Sequence, residues 1–288
     1  MSTQLSRRHV LTGSLAGALA LTLAACGSGS STDSASGVKG VTVKDGVATI
    51  TIGATPQPHV TILQWVQDNL AQEAGLNLDI KEINDYQTPN SSLADGSLAA
   101  NFYQTPNFLE VQEEEKKYDF TSIAEVHIEP LGVYTKKGYQ DLSSLPQDAK
   151  VILNSDPANF ARGLRLLADN GVIELDPAAK VPADTDVTSN PRNLTFTPIE
   201  GSLLVTSLPD ADIAVINGNY AIDGGLVPSK DAIALEKGEG SPYANLLVVR
   251  TEDKDNEHLK KLAELLGSDR LREYIKTTWT DGSVIPAF

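Results

Sequence analysis

Residues Val151 to Leu167 read VILNSDPANFARGLRLL, and this stretch decides the fold. Val151, Ile152 and Leu153 form a short apolar run suited to a buried strand. Ser155 or Asp156 is a candidate N-cap, and Pro157 suits the first helical position, where its missing N–H costs nothing. The pattern predicts strand, turn and helix. A helix starting here directs unpaired N–H groups and a partial positive charge past the strand end, a place for an anion. Phe160, Leu164 and Leu167 recur at helical spacing and would face the core. Arg162 lies about 200° around the helix from Phe160, off that stripe but near the open end. Its guanidinium could clamp a carboxylate through two parallel hydrogen bonds, although spacing alone favours a solvated surface side chain. Arg165, one turn deeper, is the weaker candidate.

Upstream of this unit, Val47 to Ala54 alternates like a strand. Val60, Leu63, Val66, Leu70 and Ala74 make the stripe of a helix ending at Gly75, and Leu76 to Ile83 is a second strand. The chain therefore opens as βαβ, the start of a mostly parallel sheet. Tyr86 and Tyr103 each follow an expected strand, where open α/β sheets build ligand crevices. A strongly acidic helix spans Phe108 to Lys117. Strands at Ser122 to His127 and Leu131 to Thr135 are separated by Glu129-Pro130, a plausible crossing between lobes.

Downstream, strands are expected at Gly171 to Leu175, Asn193 to Thr197, Ala211 to Ile216, Asp231 to Leu235 and Tyr243 to Arg250. A loop runs through Asn190, and Gly201 to Leu208 reads as a short helix. Asn217 sits at a strand's carboxyl end, where its carbonyl could accept from an ammonium or its side chain could cap a helix. Ser241-Pro242 is a second crossing, and Glu257 to Leu266 and Asp269 to Trp279 are amphipathic helices. A chain that crosses out once and back once forms one lobe from 41–129 with 242–288 and a second from 130–241. Ligands in such proteins lie between the lobes.

The N-terminus is a separate matter. Arg7 and Arg8 precede an apolar run, Val10 to Ala25, too short to span a bilayer comfortably, so 1–25 reads as a signal peptide. Leu23-Ala24-Ala25-Cys26 resembles the lipobox of bacterial lipoproteins. Cys26, the single cysteine of the chain, would carry the lipid, and the Gly/Ser/Thr-rich residues through 40 would form a tether. A diacyl anchor would hold the protein on the extracytoplasmic face of the cell membrane. Loss of 1–25 removes two arginines and no acid, shifting the formal charge from −15 to −17. That acidity argues against nucleic acid or anionic headgroups as partners.

Several segments together resemble the NlpA family, the lipoproteins that serve methionine ABC importers. They are Gly53-Ala54-Thr55-Pro56-Gln57-Pro58-His59, Asn84-Asp85-Tyr86, Ala100-Asn101 to Leu109, Asp156-Pro157-Ala158-Asn159 through Arg162, Ala214-Val215-Ile216-Asn217 and Ser241-Pro242-Tyr243-Ala244-Asn245-Leu246. The resemblance implies an α/β, two-lobed, periplasmic-binding-protein-like fold of type II that closes over L-methionine or a relative. It implies delivery of that ligand to a permease and ATPase. It would put Arg162 on the ligand carboxylate, Asn217 on the ammonium, Tyr86 and Tyr103 around the side chain, and Asn159 nearby. Two positions depart from the family pattern: Thr105 stands where a histidine is usual and Glu129 where an aromatic is usual. A carboxylate at 129 would be costly beside a thioether unless paired. A more polar or basic amino acid, or a methionine-containing dipeptide, is therefore an alternative ligand. A surface lipoprotein without transport function is a further alternative.

Chemistry beyond binding finds little support. His9 leaves with the signal, and His59, His127 and His258 show no metal-ligand spacing along the chain. Neither a nucleophile elbow nor a phosphate-cradling glycine loop is present. The expectation is a binding protein without cofactor or metal, not an enzyme.

Overall fold

The computed structural model describes residues 34–35 and 37–288; the export segment and Cys26 lie outside them. Asp45 and Gly46 take φ of 51° and 81° and turn β1 (Val41–Lys44) back onto β2 (Val47–Ala54). Asp-Gly is the sequence signature of such a two-residue hairpin, and it reveals a strand that hydrophobic alternation alone misses. Ser34–Ala35 pairs with β1 in turn, so the stretch read as tether through residue 40 is already joined to the sheet near its end.

From β2 the chain enters a helix, α1 (Thr61–Val66), which continues through Gln67–Ala71, and returns as β3 (Leu76–Glu82), parallel to β2. Next come α2 (Thr88–Asp95), β4 (Ala100–Gln104), α3 (Pro106–Lys116) and β5 (Phe120–Ile128). β4 also pairs parallel to β2, extending the expected βαβ opening. The chain then leaves this sheet through Glu129 and Pro130.

A second sheet follows, made of β6 (Gly132–Tyr134), β7 (Lys150–Asn154), β8 (Thr195–Ile199), β9 (Ile213–Ile216) and β10 (Ala232–Leu235). Its order is β8-β7-β9-β6-β10, with β7 parallel to β8 and to β9 and β6 antiparallel to both its neighbours. The chain finally returns as β11 (Ala244–Arg250), which inserts between β4 and β5 of the first sheet, antiparallel to both. Both ends of the chain thus complete one sheet and the middle makes the other.

Between β7 and β8 lies α4 (Pro157–Asp169), and it starts as its sequence dictates. Asp156 is the N-cap, its side chain accepts from the Asn159 N–H, and Pro157 opens the first turn. The anion expected at this helix end is therefore the chain's own Asp156, whose Oδ2 also takes the Asn159 amide at 2.8 Å. Leu164 and Leu167 are fully buried, and Gly163 lets the helix close on the sheet, since a Cβ there would come within 2.8 Å of Leu153 Cδ2.

Elsewhere two expected elements shrink. The strand from Gly171 is reduced to Glu174–Leu175, paired with Val187–Ser189 in the stretch read as loop, and the helix over Gly201 to Leu208 breaks into three short turns. α5 (Gly218–Asp223), α6 (Glu257–Leu266) and α7 (Asp269–Thr278) follow β9 and β11. Each sheet buries its own apolar core, the first under α1, α6 and α7 and the second under α4. A third cluster joins Tyr86, Tyr103 and Phe108 to Tyr134, Ile152 and Ile216, and so ties the two sheets together around the cavity described next. No helix among the described residues is long and apolar enough to cross a membrane.

Candidate functional site

A small cavity lies between the two sheets. Its walls include all seven residues named from sequence as ligand contacts: Tyr86, Tyr103, Thr105, Glu129, Asn159, Arg162 and Asn217. Gln104, Phe108, Gly218, Asn219 and Asn245 also line it. Gln104, Phe108 and Asn245 fall inside segments already singled out, and Gly218 and Asn219 directly follow Asn217 at the end of β9.

Arg162 is buried, with only 3% of its surface exposed, because α4 packs this side against the crossing segments. Its Nε donates to Glu236 Oε1 at 2.9 Å and its Nη2 to Glu236 Oε2 at 2.5 Å; Nη2 also donates to the Glu129 carbonyl at 3.1 Å. The guanidinium lies 4.1 Å from the centre of the Tyr243 ring. Burial works against its charge, and Glu236 more than offsets this, so its pKa stands above the ordinary value. Glu236 escaped the sequence reading because it directly follows β10, far along the chain from Arg162. Of five guanidinium donors, the two on Nη1 are left for a ligand carboxylate.

Asn217 occupies the N-cap position of α5 by backbone geometry, yet its side chain makes no capping bond. Instead an amide chain runs across the site. Asn154 donates to Asn217 Oδ1 at 3.1 Å, Asn217 to Asn159 Oδ1 at 2.7 Å, and Asn159 to Asp156. Each amide is thereby fixed in orientation, and the second lone pair of Asn217 Oδ1 is still available. Burial lifts the Asp156 carboxyl to about 6 although the Asn159 groups oppose this.

The aromatic wall needs nothing polar from a ligand. Tyr103 donates its hydroxyl to the Tyr86 carbonyl at 3.1 Å, and Tyr86 donates to Asn219 Oδ1 at 2.6 Å. Burial pushes both phenols well above their usual pKa, so they stay neutral. The Tyr86–Asn219 bond also bridges the sheets, as do Tyr220 to the Asn84 carbonyl and Asn107 to the Ala158 carbonyl. Thr105 supports the last of these by donating to Asn107 Oδ1 at 2.7 Å. Tyr86→Phe is expected to weaken ligand binding about five- to tenfold, since an ordinary hydrogen bond contributes about 1 kcal/mol. Isothermal titration with the best ligand checks this, and an unchanged Kd would rule out a closing role for the phenol.

Glu129 is 5% exposed and its burial is resolved by two histidines. His127 Nε2 lies 2.7 Å and His59 Nε2 3.4 Å from Glu129 Oε1. His59 is further fixed by Asn245 Oδ1 at 2.9 Å from Nε2 and by the Thr55 hydroxyl at 2.7 Å from Nδ1. Two acceptors facing His59 Nε2 place the proton there. His127 Nδ1 is buried with no hydrogen-bond partner among the described residues. A lone pair is left alone more cheaply than an N–H, so the His127 proton also sits on Nε2. Burial lowers His59 to about 4 and His127 to about 3, and lifts Glu129 to about 7. The three side chains bring ligand atoms within 4.8 Å of one another, a spacing that could receive a small metal ion. Reading histidines along the chain could not show this, because His59 and His127 meet only when β5 packs beside the residues that precede α1.

A buried, polar cavity between two α/β lobes joined by two crossings defines a solute-binding protein of the two-lobed periplasmic type. The chain belongs to the NlpA lipoprotein family, whose model matches residues 50–288. It is 35% identical over 269 residues to the methionine-binding lipoprotein MetQ of Bacillus subtilis, covering 92% of this chain and 93% of that one. The D-methionine-binding lipoprotein MetQ of Escherichia coli is 34% identical over 82% of this chain and 87% of its own length. Among solved structures, a nutrient-binding protein of Burkholderia cenocepacia bound to methionine superposes with a TM-score of 0.80. It is 39% identical, with 83% of this chain and all of that one covered. A lipoprotein of Actinomyces odontolyticus gives 0.80 at 45% identity, over 85% of this chain and all of that one.

Proposed function

We propose that this protein is a lipoprotein, anchored through Cys26 on the extracytoplasmic face, that captures methionine or a closely related amino acid and delivers it to the permease and ATPase of an ABC importer. Residues 41–129 with 242–288 would form one lobe and 130–241 the other, with ligand held where they meet. The observation that carries this reading is the cavity itself. It sets a guanidinium with free Nη1 donors opposite an aromatic wall whose hydroxyls are internally satisfied. A zwitterion's carboxylate suits the first and an unbranched apolar side chain suits the second. The names of the relatives and the methionine-bound Burkholderia structure support the same ligand class.

The function we read is binding rather than catalysis, in keeping with relatives named for binding methionine. Thermal unfolding against a panel of amino acids and methionine dipeptides tests this. A ligand at about a hundredfold excess over Kd should stabilise the protein by about 2.7 kcal/mol. A panel in which no member raises Tm would refute the proposal.

A further inference from the structure

Resting on the two-lobed cleft proposed above, we infer that residues 281–286 form a strap across the hinge, with Ile285 as the positioning residue whose side chain fixes the angle at which the lobes close on a ligand. The strap follows α7 after a turn in which the Gly282 N–H donates to the Trp279 carbonyl at 3.1 Å. It is fastened to the first lobe twice. Val284 is 1% exposed, within the core of the first sheet. Next to it β12 (Ile285–Pro286) runs antiparallel to the end of β5, with Ile285 opposite Ile128 and Pro286 opposite His127. The Ala287 N–H then donates to the Val126 carbonyl at 3.2 Å. Since β5 leads directly into Glu129 and Pro130, the strap is anchored where the chain first leaves this lobe.

From that anchor Ile285 reaches the second crossing. Gly238 lies there, between β10 and β11, and a Cβ built on it would stand 2.2 Å from Ile285 Cδ1 and 3.5 Å from Pro130 Cγ. Ile285 thus fills the place a side chain at 238 would need, beside the proline of the first crossing. The crossings are also bonded to each other: the Glu236 N–H donates to the Leu131 carbonyl and the Leu131 N–H to the Glu236 carboxylate, each at 2.9 Å. Outside both crossings, Asp281 accepts from the hydroxyl of Ser229, a residue of the second lobe, at 3.2 Å. None of Gly238, Ile285 and Asp281 lines the cavity. Hinges move by backbone rotation at a few such positions. Rotation of the second crossing would carry Gly238 off a side chain that β12 holds in place, so this contact suits one angle between the lobes. That angle is the closed one, because Tyr86 bonds to Asn219 and Tyr220 to the Asn84 carbonyl across the cleft. A ligand held between the lobes binds this form, and its apparent affinity scales with the population of the form.

Gly238→Ala tests the strap without touching the cavity. The backbone at 238 is not left-handed, so alanine is admitted locally and the added methyl is crowded by Ile285 alone. In titration calorimetry of the intact protein with L-methionine, Gly238→Ala should raise Kd about five- to tenfold, mainly through faster dissociation seen in stopped flow. In an Ile285→Ala background the same substitution should change Kd less than about twofold, because the methyl then has room. A general loss of stability would lower Tm without making one substitution depend on the other. Small-angle scattering of the empty proteins reads the lobe angle itself. Gly238→Ala should show a larger radius of gyration than wild type, and the double variant should match Ile285→Ala. A Kd untouched by Gly238→Ala, or raised equally in both backgrounds, overturns the strap while leaving the amino-acid cleft standing. If the wild type binds no amino acid, the cleft reading fails, and equal radii for empty wild type and Gly238→Ala would overturn the strap as well.

Discussion

Arg162→Ala is expected to erase ligand-induced stabilisation, whereas Arg165→Ala leaves it intact. The two arginines lie on the same helix one turn apart, and their surroundings set them apart. Arg162 is buried on the cavity wall, while Arg165 is half-buried outside that cavity and donates to the Lys180 carbonyl. Truncating one partner of a buried, hydrogen-bonded charge pair costs about 2–5 kcal/mol, which is roughly 30-fold to several thousandfold in Kd. The same change strands Glu236, which would keep only its bond from the Leu131 N–H at 2.9 Å. The empty variant should therefore melt at a lower temperature than wild type, so the readout is the ligand-induced shift relative to each variant's own empty state. Arg162→Lys separates charge from geometry: an ammonium next to Glu236 keeps much of the fold stability but cannot supply the paired donors, and ligand affinity should still fall. Equal loss of the shift in Arg162→Ala and Arg165→Ala would refute the assignment of the carboxylate to this position.

Much of this was readable from periodicity. The alternation over Val47 to Ala54, the stripe to Ala74 and the amphipathic terminal helices appear where the sequence places them, because each buries one face against its own sheet. The Val151 unit was readable for a stronger reason: Asp156 and Pro157 act through local backbone geometry, independent of the rest of the chain. Long-range pairing is what local patterns cannot carry. Arg162 spacing alone fits a solvated side chain, and only the arrival of Glu236 from β10 and Tyr243 from the return crossing makes its burial affordable. Glu129 likewise looks like a costly intrusion until β5 brings His127 beside it and the residues ahead of α1 bring His59. Asn217 left two readings open, and the structure separates them by giving the N-cap position to its backbone and the cavity to its side chain.

The largest stability effect is expected away from the cleft, at Arg250→Ala. Arg250 ends β11 and is 7% exposed, with its guanidinium spread over four acceptors. Nε donates to Asp253 Oδ2 at 2.6 Å, Nη1 to the carbonyls of Leu93 and Leu98 at 2.7 Å each, and Nη2 to the Lys39 carbonyl at 2.8 Å. These partners close the end of α2, the turn leading to β4 and the residues entering β1, so one side chain satisfies backbone groups from three separate connections. Alanine would leave three carbonyls without that donor and a buried carboxylate without its cation, a loss of about 3–5 kcal/mol. At roughly 2–4 °C per kcal/mol for a domain of this size, Tm should drop by about 6–20 °C. Urea unfolding would show a lower midpoint at unchanged slope if the native packing is otherwise kept. Arg270→Ala, which removes an exposed pair with Glu73, should cost less than about 1 kcal/mol and calibrates the comparison. Replacing both members of the buried pair, as Arg250→Met with Asp253→Leu, should recover part of the loss, because the stranded carboxylate goes with the arginine while the three carbonyls still lack its donors, Leu93 keeping only the Gly96 N–H. A single variant within about 1 kcal/mol of wild type would mean that water reaches those carbonyls, and that the three connections hold without their shared donor.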